Sequence, residues 1–150
     1  MTAIHVLYGT ESGNAEMAAD DIAEVLRGQG FEAEVGELSA VSVAALADLA
    51  TVVVLTSTYG EGELPENAAA FHTALLEVRP DLSGLRFGAF GLGDSVYDTY
   101  NNGIDTLRAT LLELGARQVG DTAKHDAASG DPVSDLASAW AGTLLDLIPA

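Results

Sequence analysis

The amino-acid sequence predicts an α/β fold: a doubly wound sheet of five parallel strands, in the order 2-1-3-4-5, with helices on both faces. Apolar runs typical of strands alternate with helical patterns along the chain. Several of these runs are continuously apolar, as in strands that are buried on both faces. The 150 residues are too few for a closed eight-unit barrel, which needs about 250. An open sheet with the common order of five strands is therefore favoured.

The strands are predicted from runs of apolar and β-branched residues. Three runs are strong and two are weaker, and helical patterns lie between them. The strong runs are Ile4 to Tyr8, Ala50 to Thr56 and Arg86 to Leu92, and the weaker ones are Phe31 to Val35 and Arg117 to Val119. Together they supply the five strands of the predicted sheet.

The helices are predicted from apolar residues that recur at a spacing of three or four. The predicted helices cover residues 15–26, 68–78, 104–114 and 132–147, with a shorter one over 43–49. The last helix is expected to begin with Asp131 as its cap and Pro132 at its first helical position, and its Trp140 is expected in the core. The sequence contains no linker or repeat, so residues 1–150 are expected to form a single domain.

The composition excludes several classes of partner. Six Lys and Arg stand against 23 Asp and Glu, which gives a formal net charge of −17. Nucleic acids and anionic membranes bind through clustered cations, so neither is expected as a partner. The same negative field would attract a basic protein and speed its encounter at low salt. Solubility alone is the alternative explanation of the acidity.

The chain contains no cysteine, which excludes disulfides, thiolate metal sites and cysteine nucleophiles. The histidines His5, His72 and His125 are scattered and predict no metal site. The N-terminal residues do not resemble a signal peptide, and no apolar run approaches the roughly 20 residues of a membrane span. We therefore expect a cytoplasmic monomer whose redox chemistry, if it has any, comes from a bound cofactor.

The loop that follows the first strand predicts an anion site. In open α/β sheets, ligands bind beyond the carboxyl ends of the strands, at the switch point between strands one and three. The segment from Tyr8 to Glu16 combines glycines with the hydrogen-bonding side chains of Thr10, Ser12 and Asn14 at the start of a helix. It lacks the cation of a nucleotide triphosphate loop, since no Lys or Arg precedes Arg27. Taken alone, this loop is equally compatible with a simple capped turn.

Aromatic residues mark the same edge of the predicted sheet. The chain has four tyrosines, Tyr8, Tyr59, Tyr97 and Tyr100, and each lies at or beyond the carboxyl end of a strand. Core packing does not explain this distribution. A flat ligand held between aromatic rings would explain it, because stacked aromatic pairs contribute about 0.5 to 1.5 kcal/mol beyond area burial. A phosphate site beside tyrosines predicts a planar, phosphorylated cofactor.

Three segments resemble the FMN-binding loops of the flavodoxin family. They are Thr10-Glu11-Ser12-Gly13-Asn14-Ala15, Ser57-Thr58-Tyr59-Gly60-Glu61-Gly62 and Phe90-Gly91-Leu92-Gly93-Asp94-Ser95-Val96-Tyr97. Their order and spacing match together, and the resemblance spans the whole chain. In detail, the sequence is similar to the short flavodoxins of the MioC type and to the FMN domains of diflavin reductases, notably at residues 80–83, 86–89 and 97–99. The resemblance implies a flavodoxin-like fold and FMN as the cofactor.

The resemblance also implies a role for individual residues. The phosphate would be held by Thr10, Glu11, Ser12, Gly13, Asn14 and Ala15, with Glu11 pointing away from it. Tyr59 and Tyr97 would flank the isoalloxazine. The remaining contacts to the ring and ribityl chain would come from Ser57, Thr58, Gly60, Gly62, Leu92, Gly93, Asp94, Tyr100 and Asn101. A glycine at position 60 would allow a peptide flip that offers a carbonyl to flavin N5 and stabilises the semiquinone.

Three positions depart from the family pattern. Ala15 replaces a threonine that is common at the end of the phosphate loop, Glu11 adds a negative charge there, and Tyr59 stands where small flavodoxins often have tryptophan. These departures bear on the affinity for FMN and on its redox potential. Asp126 and Asp131, which follow the last predicted strand, are expected to be ordinary loop acids.

The function implied by the resemblance is that of a low-potential electron carrier without catalytic residues of its own. It would take single electrons from a flavodoxin or ferredoxin reductase with a basic surface and pass them to an acceptor enzyme. An alternative is an FMN-dependent NAD(P)H:quinone-type oxidoreductase, although the chain offers no basic cluster for a 2′-phosphate. A phosphorelay receiver shares the strand order but needs an acidic residue at the end of strand three, where Thr56, Ser57 and Thr58 stand. That alternative is disfavoured.

Overall fold

The computed structural model describes residues 4–9, 14–57, 66–93, 102–126 and 132–145 of the chain. Strands and helices alternate along it. The strands are β1 (Ile4–Gly9), β2 (Ala33–Glu37), β3 (Thr51–Ser57), β4 (Arg86–Gly93), β5 (Arg117–Gln118) and β6 (Ala123–Asp126). The helices are α1 (Asn14–Gly28), α2 (Glu66–Val78), α3 (Asn102–Glu113) and α4 (Val133–Leu144). Two short 3-10 helices, Leu38–Ala40 and Val43–Asp48, lie between β2 and β3. None of the helices described is long and apolar enough to cross a membrane.

The strands form one parallel sheet in the order β2-β1-β3-β4-β5, with β6 also paired to β4. The predicted fold class and strand order are confirmed. Strand β1 lies between β2 and β3. The chain adds β2 on one side of β1 and then crosses over to add β3 and the later strands on the other side. The edge above this crossover is the topological switch point, where open α/β sheets bind their ligands.

Each face of the sheet carries its own core. Side chains alternate along a strand, so successive residues of β3 enter opposite cores: Val53 and Leu55 join α1 and α4, whereas Val52 and Val54 join α2 and α3. Phe90 of β4 packs edge-on against Trp140 of α4, with ring centroids 5.5 Å apart. The predicted core position of Trp140 is therefore confirmed, and both faces of the sheet are covered by helices.

The fifth position of the sheet differs from the prediction of one strand over Arg117 to Val119. Two short strands, β5 and β6, occupy it. Phe87 of β4 pairs with Gln118 of β5, and Phe90 of β4 pairs with Ala123 of β6. Three residues along β4 therefore correspond to five residues of the neighbouring segment, so the interruption contains two extra residues. The second strand was missed because its sequence, Ala-Lys-His-Asp, is short and polar. His125 and Asp126 therefore lie in a strand, where a late loop was predicted.

Two helix predictions also need correction. Pro132 has extended backbone angles (φ −63°, ψ 133°) and is the N-cap residue, so α4 begins at Val133, one residue later than predicted. The expected cap, Asp131, lies outside the described residues. The segment over 43–49 forms a 3-10 helix, Val43–Asp48, in which Val43 and Leu46 are buried. A spacing of three between its buried residues suits the 3-10 geometry as well as the α geometry.

Candidate functional site

The candidate site is built where three adjacent strands end at one edge of the sheet. Gly9, the last residue of β1, lies beside Thr56 of β3, and Thr56 in turn lies beside Gly91 of β4. Ser57 lies beside Leu92 in the same ladder. The three loops that the sequence singles out, at residues 10–13, 58–65 and 94–101, therefore start side by side at the switch point.

Most of the predicted contact residues fall outside the residues that the structure describes. These are Thr10, Glu11, Ser12, Gly13, Thr58, Tyr59, Gly60, Gly62, Asp94, Tyr97, Tyr100 and Asn101. The structure places the backbone of Asn14, Ser57 and Gly93 and the whole of Ala15 and Leu92. The predicted roles of all these residues remain predictions.

Ala15 and Leu92 lie at the edge of the site but direct their side chains into the core. Both belong to the cluster under α1 and α4, and Ala15 is completely buried there. What these residues can offer a ligand is therefore their backbone. At Ala15, in the first turn of α1, the free N–H groups and the helix macrodipole favour an anion.

Tyr8 corrects one part of the sequence interpretation. Its side chain is 9% exposed and belongs to the same core cluster as Ala15, so core packing does explain this tyrosine. Burial is the main cause that raises the pKa of its hydroxyl, and the neighbouring carboxylates of Glu16, Glu37 and Asp20 raise it further. The signal that finds this role is the alternation with Ile4 and Val6, which places Tyr8 on the same face of β1.

The charges are distributed unevenly between the two edges of the sheet. The loops after the strands hold acidic residues and no Lys or Arg: Glu11, Glu61, Glu63, Asp94, Asp98 and Asp131. Most of the cations lie at the opposite edge, where the strands begin: Arg27 ends α1, Arg79 follows α2, and Arg86 and Arg117 open β4 and β5. An anion at the switch point must therefore be bound by backbone N–H groups and hydroxyls.

The cations away from the first loop are engaged in contacts of their own. Arg27 donates from Nε and Nη2 to the carbonyl oxygen of Ala33, at 3.0 and 2.6 Å. Lys124, the only lysine of the chain, lies 3.1 Å from the carboxylate of Asp105 in the first turn of α3. Arg27 is thus engaged at the edge where the strands begin, and the charge of Lys124 is paired with a carboxylate.

The histidines lie far apart in the fold. His5 is in β1, 3.6 Å from the Glu34 carboxylate of β2, and His72 of α2 shares a 3.0 Å hydrogen bond with the hydroxyl of Thr110. Asp126 ends β6 beside Gly93, where the third loop begins. Among the described residues, no group of three or more potential metal ligands comes together.

This arrangement fits FMN. The free N–H groups in the first turn of α1 suit its phosphate, and the sequences after β3 and β4 carry the tyrosines expected to flank its ring. FMN would supply the redox chemistry, because the hard chemistry of a flavoprotein is carried by its cofactor. The protein supplies binding, orientation and charge.

Comparisons with known proteins point to one family. A family model described as Flavodoxin matches residues 6–140. The chain is 38% identical over 148 residues to Protein MioC of Escherichia coli K12, with 99% of each chain covered. It is 39% identical over 130 residues to the NADPH-dependent diflavin oxidoreductase 1 of Emericella nidulans, which covers 83% of this chain and 20% of that protein.

Solved structures show the same fold. The crystal structure of oxidised Flavodoxin 2 from Bacillus cereus matches with a TM-score of 0.86 at 27% identity, over 97% of this chain and 99% of that chain. The resemblance drawn from the three loop motifs is thus confirmed by the family match, by the relatives and by the fold. The chain belongs to the flavodoxin family.

Proposed function

We propose that this flavodoxin accepts single electrons from a reductase and passes them to an acceptor enzyme. The protein is an FMN-containing electron carrier. The observation that carries the proposal is the side-by-side ending of β1, β3 and β4 at the switch point, which gathers three FMN-type loops at one edge. The low potential, the identity of the partners and the contact residues are parts of the proposal.

The proposed FMN site uses the residues that the family motifs mark. Residues 10–15 hold the phosphate, Tyr59 and Tyr97 flank the isoalloxazine, and the loop after β4 contacts the ring and the ribityl chain. The position of Gly93 supports this assignment. Gly93 is the last residue of β4 and pairs with Asp126 of β6, so the loop after β4 starts at the edge of the sheet that holds the site. The carbonyl oxygen of Gly60 would accept a hydrogen bond from the N5–H group of the reduced flavin.

The acidic loops support a low potential for the second electron. Adding that electron creates negative charge on the flavin, and Glu61, Glu63, Asp94 and Asp98 are carried by the loops that would surround it. Like charges in a partly desolvated site oppose one another. The fully reduced protein is therefore a strong one-electron donor.

The uneven charge also supports a partner with a basic surface. The loops that follow β1, β3 and β4 contain acidic residues and no Lys or Arg, and Lys124, which lies beside Gly91 near that edge, is paired with Asp105. Arg27, Arg79, Arg86 and Arg117 lie at the other edge. A basic reductase or acceptor would be steered toward the flavin edge, and electrostatic steering raises association rates most at low salt. The proposal retains the cytoplasmic location expected from the sequence.

The carrier is favoured over the alternative NAD(P)H:quinone-type oxidoreductase because the relatives that share this chain's full length are flavodoxins. The two functions differ in what the purified protein does with NADPH. A carrier leaves NADPH unoxidised until a flavodoxin reductase is added, after which cytochrome c is reduced at a rate that rises with carrier concentration. Steady oxidation of NADPH in the presence of a quinone, without any reductase, would overturn the proposal.

A further inference from the structure

The outer strand at one edge of the sheet is broken. Strands β5 and β6 both pair with β4, and no strand among the described residues pairs with their other side. Residues 119–122, which we call the interruption, separate β5 from β6 and contain two residues more than an unbroken strand beside β4 would need. Gly120 within it has a φ of 69°, a left-handed conformation that departs from the extended path of a strand.

Side chains from both faces of the sheet hold the interruption in place. On the face covered by α3, Nε of Arg108 donates to Oε1 of Gln118 at 2.6 Å, and Nε2 of Gln118 donates to the Thr122 hydroxyl oxygen at 2.8 Å. On the face covered by α4, the indole N–H of Trp140 donates to the carbonyl oxygen of Asp121 at 3.0 Å. The break is therefore a constructed part of the fold.

An unbroken strand at this edge would offer a row of main-chain N–H and C=O groups to a second copy of the chain. Native sheets discourage such pairing with charged side chains, very short edge strands or local distortions of the strand. The opposite edge of this sheet, β2, relies on charge: it contains Glu34 and Glu37 and no cation. Two copies of β2 would therefore repel each other.

The charges of β5 and β6 give no such protection. Residues 117–126 include two cations, Arg117 and Lys124, and two carboxylates, Asp121 and Asp126. If this segment paired with its own copy in antiparallel fashion and full overlap, Arg117 of one copy would lie opposite Asp126 of the other, because these are its first and last residues. Opposite charges that face each other across strands stabilise pairing. This edge is therefore complementary to itself.

We propose that the interruption prevents this edge of the sheet from pairing with a second copy of the chain. It divides the edge into a strand of two residues and a strand of four, and such short edge strands are poor templates for a further strand. Charge protects β2, and the break protects the edge formed by β5 and β6. The inference does not rest on the proposed FMN function, since it concerns the sheet edge alone.

The test uses a variant that lacks Gly120 and Asp121, both of which are exposed. The deletion leaves two residues between Gln118 and Ala123, so the segment would match β4 residue for residue. Sedimentation equilibrium is expected to give the monomer mass for the wild type and twice that mass for the variant at the same protein concentration. Circular dichroism shows that the helices are retained.

A charge reversal in the deletion variant is the matched control. Arg117→Glu would place a carboxylate opposite Asp126 in the antiparallel register, so it is expected to return the deletion variant to a monomer. Adding Asp126→Arg exchanges the two charges and is expected to restore the dimer. This pattern separates specific edge pairing from aggregation of a misfolded chain, which would not follow the charge exchange.

A second variant keeps the full length of the chain, because the deletion also removes the acceptor of the Trp140 indole. Gln118→Val with Thr122→Val removes the hydrogen bonds on the α3 face and introduces residues that favour strands. It is expected to self-associate more strongly than the wild type. A folded deletion variant that stays monomeric would overturn the inference. If the deletion variant does not fold, a monomer mass for the double valine variant at every concentration would overturn it equally.

Discussion

The indole N–H of Trp140 donates a 3.0 Å hydrogen bond to the carbonyl oxygen of Asp121. Asp121 lies in the interruption between β5 and β6, so a helix on one face of the sheet satisfies a backbone group that the broken ladder leaves without a strand partner. Within the interruption, Nε2 of Gln118 donates a 2.8 Å hydrogen bond to the hydroxyl oxygen of Thr122. The fifth position of the sheet is held together by these contacts.

Removal of the indole N–H tests this role of Trp140. Trp140→Phe keeps an aromatic ring in the core but leaves the Asp121 carbonyl without its donor. We expect the free energy of unfolding to fall by about 1 to 3 kcal/mol, the effect of losing one part-buried hydrogen bond together with part of the buried ring. Urea denaturation followed by circular dichroism measures this loss, and an unchanged midpoint would contradict the assigned role.

Gly88 is expected to be intolerant of a side chain. A Cβ at this position would lie 3.0 Å from the Cη2 atom and 3.3 Å from the Cζ2 atom of Trp140, which is tighter than carbon atoms usually pack, so the indole ring would have to shift by a few tenths of an ångström. Gly88→Ala should therefore destabilise the protein by about 1 to 3 kcal/mol through overpacking.

The matched control is Gly142→Ala in α4. A Cβ there meets nothing within 4 Å, and the position is exposed. Alanine favours the helix over glycine by roughly 0.5 to 1 kcal/mol, so this variant should be more stable than the wild type. Equal effects of Gly88→Ala and Gly142→Ala on the denaturation midpoint would contradict the close packing of Trp140 on the sheet.

His72 is expected to make stability depend on pH. Desolvation lowers the pKa of His72 in the folded protein below 6.5, so the unfolded chain binds the proton more readily. The stability that this group contributes is complete above pH 6.5 and is lost as the pH falls below that value. Comparing wild type with His72→Gln isolates the effect, because the acidic residues titrate in both.

The expected result is that the wild type loses more stability than His72→Gln between pH 7 and pH 5. Denaturation midpoints at half-unit intervals of pH provide the comparison. Parallel curves for the two proteins would contradict the prediction, because they would show that burial leaves the proton equilibrium of His72 unaltered on folding. A steeper fall in stability for His72→Gln than for the wild type would also contradict the prediction.

The acidic loops predict the direction of change in the redox potential. Neutralising Glu61 and Glu63 together, as glutamines, removes negative charge from the loop after β3 and should make the second reduction step easier. We expect the potential of that step to rise, and to rise less at high ionic strength because salt screens exposed charges. A potential that does not move on this substitution would contradict the electrostatic origin of the low value.

Electron transfer from a basic reductase should be salt-dependent. Steering by the acidic edge predicts a second-order rate constant that falls as ionic strength rises. Stopped-flow reduction of the oxidised protein at several salt concentrations measures it. A rate that is independent of salt would assign the net charge of −17 to solubility alone.

The sequence was most informative where periodicity and spacing act together. Continuous apolar runs such as Val52 to Leu55 predicted the buried parallel strands, and the loop motifs after β1, β3 and β4 predicted the family. One feature was beyond reach: the strand Ala123–Asp126 is recognisable only through its pairing with β4, a tertiary effect that overrides local pattern. The core position of Tyr8, by contrast, is indicated by its alternation with Ile4 and Val6 along β1.

The central claim is that this protein carries single electrons on FMN. The most direct measurement is a stepwise reduction of the FMN-loaded protein in which the visible absorption spectrum and the potential of each step are recorded. The account predicts one FMN per chain. It also predicts a long-wavelength absorption band that appears with the first electron and disappears with the second, and a potential for the second reduction step that is lower than that of free FMN. A protein that does not bind FMN, or that takes both electrons in one step at the potential of free FMN, would contradict it.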